Sequence, residues 1–104
     1  MVRFRLVRQV RLGHFPQALE AAEELSALHR DRGWPEGTNW IVLGGPVNTL
    51  ITEFEFPSLA AMEEMQAASD ADAEHIKLRV KGGEHSVEGS ARIEVLRTAP
   101  RLAR

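Results

Sequence analysis

The sequence predicts an α+β domain with the ferredoxin-like element order β-α-β-β-α-β. Apolar and polar residues alternate near both ends of the chain, which is typical of half-buried strands. Two segments with helical periodicity lie between them, and a Gly-Gly-Pro turn at residues 44–46 separates two β-rich runs in the middle. In this fold the antiparallel strands lie in the order 4-1-3-2, and both helices cover one face of the sheet.

Composition favours a single globular domain. The 104 residues, 43% of them hydrophobic, suffice for one modest core, which we expect over residues 1–98, with a solvated tail over residues 99–104. Thirteen basic and fifteen acidic side chains give a net charge of −2, which favours neither nucleic acid nor a membrane as a partner. Because the sequence has no cysteine and no long apolar run, we expect no disulfides, no signal peptide, no membrane span and a cytoplasmic location.

The first strand is predicted over residues 2–12, where residue character alternates with a period of two. One face carries apolar side chains, namely Val2, Phe4, Leu6, Val10 and Leu12. The other face is mixed, with Arg3, Arg5, Val7, Gln9 and Arg11. Arg8 is the one charged residue that interrupts the apolar face.

A helix is predicted after Pro16, because proline is tolerated in a first helical turn, where its missing N–H would be unpaired. Apolar residues recur at spacings of three and four, which predicts one buried stripe of Phe15, Ala18, Leu19, Ala22, Leu25 and Leu28. The helix is expected to end near Gly33.

A hairpin is predicted over residues 38–56. Pairing Leu43 with Asn48 across the turn would set Val42 opposite Thr49 and Trp40 opposite Ile51. Ser58 is then expected to cap a second helix, whose buried stripe is Leu59, Met62 and Met65. A break at residues 69–72 is followed by a further helical piece carrying Ala73, Ile76 and Val80, and alternation over residues 91–97 predicts the fourth strand.

One sheet face is left without helices in this fold, and its residues are the candidate site. Under the helices we expect Ile41, Leu43, Leu50, Phe54, Phe56, Ile93 and Val95. On the open face, an apolar patch amid charges predicts a homodimer interface formed by Arg3, Val7, Trp40, Val42, Ile51 and Leu96. A ligand pocket between the sheet and its partner would be lined by Arg5, Val7, Trp40, Ile51, Glu53 and Arg92. Glu53 and Glu55 are expected to pair with Arg3 and Arg5 as a cross-strand ion ladder.

Residues 2–97 resemble the dimeric α/β-barrel superfamily. The passage Phe54-Glu-Phe-Pro-Ser-Leu-Ala-Ala-Met-Glu-Glu-Met65 is similar to the strand-to-helix passage of its NIPSNAP-like and antibiotic-biosynthesis-monooxygenase-like branches. The resemblance implies two sheets facing each other across a two-fold axis, around an interior that some members use for cofactor-free oxygenation or haem degradation. Haem-degrading members share an Asn, Trp and His set. Here Trp40 and His75 are present but the first strand has no Asn, so the resemblance assigns no catalytic residue and no cofactor.

Other chemistries are disfavoured. The four histidines, His14, His29, His75 and His85, lack metal-ligand spacing, so we predict surface or capping roles for them and no metal site. RNA binding on the open sheet face is disfavoured because Glu53 and Glu55 would lie where a phosphate backbone passes.

Three functions therefore remain open. The first is binding of a small apolar or mixed-polarity molecule in the barrel of a homodimer. The second is a cofactor-independent monooxygenase-like or isomerase-like enzyme, in which Arg5 or Arg92 would stabilise negative charge and Glu53 would move a proton. The third is a structural or interaction module with a filled barrel.

Overall fold

A computed structural model describes residues 1–102 as a four-stranded antiparallel sheet with three helices. The elements are β1 Val2–Gln9, α1 Phe15–Arg32, β2 Thr38–Ile41, β3 Thr49–Phe56, α2 Leu59–Asp70, α3 Ala73–Gly83 and β4 Arg92–Arg97. The strand order β2-β3-β1-β4 is the predicted order, counted from the other edge, and the ferredoxin-like prediction is confirmed. The predicted tail over residues 99–104 includes residues 103 and 104, which lie outside the described residues.

Strand β1 is the central element, because it pairs along most of its length with both β3 and β4. Its partners assign each side chain to a face, since residues directly opposite each other in an antiparallel pair share a face. Leu6 lies between Thr52 and Ile93, and Val7 lies between Ile51 and Arg92. The predicted pairing of Trp40 with Ile51 is confirmed, so the paired residues lie on the expected faces. Val42 and Leu43 were also predicted on these faces but lie in the loop beyond β2.

The helix ends follow the predicted signals. Gly33 ends α1 in the left-handed conformation, with φ 73°, which a residue with a Cβ adopts at a cost. The Ser58 hydroxyl accepts the Ala61 N–H and caps α2. The Asp72 carboxylate accepts the N–H groups of Glu74 and His75, and it thereby starts α3 directly after α2 ends. No helix within residues 1–102 is long and apolar enough to cross a membrane.

The core joins the helices to the two central strands. One cluster contains Val10, Ala18 and Leu50, and another contains Phe54, Phe56 and Met62. The edge strands extend beyond this cover. Ile41, Ile93 and Val95, predicted to lie under the helices, are at least half exposed. Leu59 is also exposed, so its assignment to the buried stripe of the second helix was wrong, and Ile76 and Val80 of α3 are exposed as well.

The first strand and the hairpin are shorter than predicted. Strand β1 ends at Gln9. The chain then leaves the sheet, because the Arg11 N–H donates to the His85 carbonyl and Gly13 makes a turn with φ 83°. Leu12 is consequently exposed. In the hairpin, β2 ends at Ile41 and the predicted Leu43–Asn48 pair does not form. Residues 42–48 instead make a loop.

We predict that Leu50→Ala lowers the free energy of unfolding by about 2–5 kcal/mol, because Leu50 is 0% exposed and its truncation leaves a cavity in the core. Leu43→Ala is the matched control, since Leu43 is 96% exposed in the loop and its truncation should change stability by less than about 0.5 kcal/mol. Urea unfolding measures both. Equal effects at the two positions would contradict the assignment of Leu50 to the core.

Candidate functional site

The predicted site residues lie in rows across the open sheet face. One row crosses all four strands and contains Trp40, Ile51, Val7 and Arg92. The next row contains Thr38, Glu53, Arg5 and Glu94, and a third contains Glu55, Arg3 and Leu96. The sheet therefore brings together every residue of the predicted ligand pocket. Val42 lies beyond the end of β2, in the loop.

The centre of this face is a network of ion pairs. The Glu53 carboxylate lies 3.4 Å from Arg3 Nε and 3.6 Å from Arg5 Nη2. Arg3 Nη2 donates to Glu55 over 2.6 Å, and Arg5 Nη1 lies 3.8 Å from a Glu94 oxygen. The charges of the open face thus compensate one another within the subunit, as expected for the cross-strand ladder.

Apolar surface flanks the ion pairs. Trp40 is 54% exposed and Leu96 is 37% exposed, whereas Val7 is only 5% exposed and offers almost no surface to a ligand or partner. A concavity of about 300 Å³ beside Trp40 is lined by Pro35, Thr38 and the charged ladder. The predicted pocket is therefore small and largely charged in the isolated subunit.

A larger cavity, of about 470 Å³, lies on the opposite side of the sheet between α1, α3 and β1. We call it the helix-face cavity. Its apolar walls are formed by Leu6, Ala18, Ala21, Ala22, Leu25 and Leu78. Alanines at successive turns of α1 leave volume that larger side chains would fill. Gly82 also lines the cavity, where a Cβ would lie 3.8 Å from that of Ala21.

Arg8 lines this cavity from the central strand. Its Nη1 donates to the Thr52 hydroxyl over 2.8 Å, and that hydroxyl donates onward to Asn39 Oδ1 over 2.7 Å. Within residues 1–102, no carboxylate oxygen lies within 4.0 Å of the guanidinium. Burial lowers the pKa of Arg8 to about 10, so the group still carries its charge at neutral pH. Arg8 is a partly buried cation to which the described residues offer no carboxylate counter-ion.

A second polar cluster, which the sequence analysis missed, ties α1 to α3. His29 and His75 approach to 2.9 Å between their Nε2 atoms, and both side chains are buried. The Trp34 ring lies edge-on to both, and the Phe54 ring stacks on His29. The prediction of surface or capping roles was wrong for these two histidines. They lie 46 positions apart on different helices, so no local spacing indicates their contact.

The hydrogen bonds fix the tautomers of the pair. The Pro35 carbonyl can only accept, so His29 Nδ1, at 2.8 Å, carries a hydrogen, and the neutral ring accepts at Nε2. His75 must then donate from Nε2, which leaves its buried Nδ1 as an acceptor without a partner in the described residues. His14 and His85 form another contact, at 3.1 Å between Nδ1 atoms. No group of three or more potential metal ligands occurs within residues 1–102.

Protonation of the buried pair is unfavourable. Burial, followed by the charges of His29 and Arg79, lowers the pKa of His75 to about 4, against weaker opposition from Asp72 and Asp70. Burial also lowers the pKa of His29, although its bond to the Pro35 carbonyl and the charge of Glu36 raise it. The pair is therefore neutral at pH 7.

We predict that acid weakens the fold through His75. Its pKa is 6.5 in the unfolded reference and about 4 when folded, so the unfolded chain takes up the proton first. The stabilisation is fully present above pH 6.5 and is lost as the pH falls towards 4, a change on the order of 3 kcal/mol. Thermal melts across this range should show a smaller loss for His75→Gln, whose amide still donates to His29 but does not titrate. An equal loss in both proteins would contradict this role.

Comparison with known proteins gives structural relatives alone. No family model matches the sequence, and no curated protein matches it. An uncharacterised NIPSNAP domain protein from Burkholderia xenovorans superposes with a TM-score of 0.79 at 12% identity, covering 100% of both chains. A NIPSNAP family protein of unknown function from Agrobacterium tumefaciens gives 0.74 at 20% identity, covering 95% of this chain and 88% of that one.

An antibiotic biosynthesis monooxygenase is also similar, with a TM-score of 0.73 at 14% identity and coverage of 96% of this chain and 100% of that chain. At these identities the likeness concerns the fold. The chain therefore has the fold shared by NIPSNAP and antibiotic biosynthesis monooxygenase structures, as its sequence pattern predicted.

Proposed function

We propose that this protein binds a small organic molecule in the helix-face cavity. The observation that carries the proposal is the cavity itself, which has a volume of about 470 Å³, apolar walls and the partly buried guanidinium of Arg8. Small-molecule sites typically occupy roughly 300–1,000 Å³ and combine apolar walls with a few polar groups that orient the ligand. Both features are present between α1, α3 and β1.

The open face is a weaker candidate for the ligand. Its concavity is smaller, about 300 Å³, and a ligand there would desolvate Glu53 and Glu55 while they remain paired with Arg3. Desolvating ion pairs opposes binding unless the ligand replaces the lost water contacts. We therefore propose the helix side of the sheet, rather than the pocket predicted on the open face, as the position of the ligand.

We propose a second copy of the chain as the occupant of the open face. Trp40 and Leu96 leave apolar surface there. The ladder of Arg3, Arg5 and Glu53 presents both positive and negative groups that a two-fold-related copy could contact. A two-fold contact places the same patch on both subunits, so acidic and basic groups can face each other. Such a homodimer would leave the helix-face cavities on its outer sides.

Catalysis on the bound molecule is the alternative function. One structural relative is an antibiotic biosynthesis monooxygenase, and the Arg8 guanidinium would stabilise negative charge that develops on a ligand in a site of low polarity. Conversion of the bound molecule in the presence of oxygen, followed by mass spectrometry, would distinguish an enzyme from a binding protein.

We predict that Ala22→Phe abolishes ligand binding, because a benzyl group at this position of α1 fills part of the cavity. Decanoate, decanol and decylamine serve as probes in ligand-observed NMR and calorimetry. Ala67→Phe is the matched control, since Ala67 is exposed on α2 and does not line the cavity. Binding that survives Ala22→Phe would contradict the proposed site, and wild-type protein that binds no probe would favour a module without a ligand.

We predict that the protein sediments at micromolar concentration with twice the 11.6 kDa mass of the chain. Ile51→Arg adds an unpaired charge to the centre of the open face and should yield monomers with an unchanged far-ultraviolet circular dichroism spectrum. Val80→Arg makes the same change on the exposed side of α3 and should leave the dimer intact. A wild-type monomer would contradict the interface without affecting the cavity.

A further inference from the structure

Arg8 departs from the pattern of its own strand. Val2, Phe4 and Leu6 precede it on the helix-covered face of β1, where an apolar residue would be expected. Desolvating a cation without a counter-ion costs free energy, and burial accordingly lowers its pKa. A charged residue at a position where the strand pattern calls for an apolar one is found mainly at functional sites. Because Arg8 lies on the wall of a cavity, its charge is available to a ligand bound there.

Five of the ten arginines within residues 1–102 have a carboxylate partner within 4.0 Å, namely Arg3, Arg5, Arg30, Arg32 and Arg79. Arg8 is the one partly buried arginine among the five that lack such a partner, since the other four are exposed, namely Arg11, Arg92, Arg97 and Arg101. Arg8 makes one side-chain hydrogen bond, to the neutral Thr52 hydroxyl. The remaining N–H groups of its guanidinium make no hydrogen bond with the described residues. They form a planar fork of the shape that binds both oxygens of a carboxylate.

We propose that the ligand of the helix-face cavity is an apolar carboxylic acid whose carboxylate pairs with Arg8. The inference rests on the proposed function of the cavity and assigns its substrate class. The carboxylate would supply the counter-ion that the chain lacks, and the apolar body would lie against the alanines and leucines of the walls. Removal of both groups from water is then compensated.

The charged groups around the cavity favour this class over others. Its lining contains three arginines, Arg8, Arg11 and Arg79, and one acidic residue, Glu88. Arg79 is held by Asp70 and Arg11 is exposed, so Arg8 is the partly buried cation of the lining that has no carboxylate partner. The apolar walls disfavour a sugar, whose hydroxyls would lose their hydrogen bonds to water.

The test compares three probes that share one apolar body, namely decanoate, decanol and decylammonium, by calorimetry at pH 7. Wild-type protein should bind decanoate about ten- to a hundredfold more tightly than decanol, the range expected for hydrogen bonds to a charged group, and should bind decylammonium least. Arg8→Met keeps an unbranched apolar stem in place of that of arginine but removes the guanidinium and its donors. In this variant the affinity for decanoate should fall to that for decanol, while decanol binding is unchanged.

Two further measurements separate the possible outcomes. Arg97→Met removes an arginine of β4 that does not line the cavity, and it should leave all affinities unchanged. The melting temperature of Arg8→Met should equal or exceed that of the wild type, because the variant loses a partly buried charge that has no carboxylate partner. Equal binding of decanoate and decanol by the wild type, or a preference for decanoate that survives Arg8→Met, would overturn the ligand class but leave the cavity as a binding site. Failure of the wild type to bind either probe would overturn both proposals.

Discussion

The pairing of β1 with strands on both sides is the constraint on which the rest of the structure depends. Because β3 and β4 fix its register, each side chain of β1 must point either towards the helices or towards the open face. Arg3 and Arg5 lie on the open face, where carboxylates of β3 and β4 neutralise them. Arg8 lies on the helix face, where the described residues offer a hydroxyl and a cavity instead.

The helix side of the sheet holds two polar features, the His29–His75 pair and Arg8, and only Arg8 is charged at neutral pH. His29 and His75 are hydrogen-bonded to each other, and the Pro35 carbonyl fixes their tautomers, so the pair contributes to the contact between α1 and α3 as neutral groups. Arg8 cannot become neutral in the same way, because its lowered pKa of about 10 remains far above physiological pH. An uncompensated charge on a cavity wall therefore points to a ligand, whereas a neutral histidine pair is explained by packing.

Much of the fold could be predicted from the sequence, because its determinants are local. Alternation identified β1 and β4, and the Trp40–Ile51 register followed from the length of the hairpin. The helix-face cavity could not be predicted, since its volume depends on the distance between α1 and α3. Arg8 was visible as an exception on an apolar face, yet its lack of a carboxylate emerged only from the three-dimensional structure. The ligand pocket predicted on the open face stays a prediction, and the exception at Arg8 is what leads us to propose the helix side instead.

We propose above all that Arg8 and the helix-face cavity form a site for an apolar carboxylate. A crystal structure of the protein grown with decanoate would test this directly. We expect electron density for decanoate between α1, α3 and β1, with its carboxylate oxygens about 2.7–2.9 Å from the Arg8 guanidinium nitrogens. Density for decanoate against Trp40 on the open face, with the helix-face cavity empty, would contradict it.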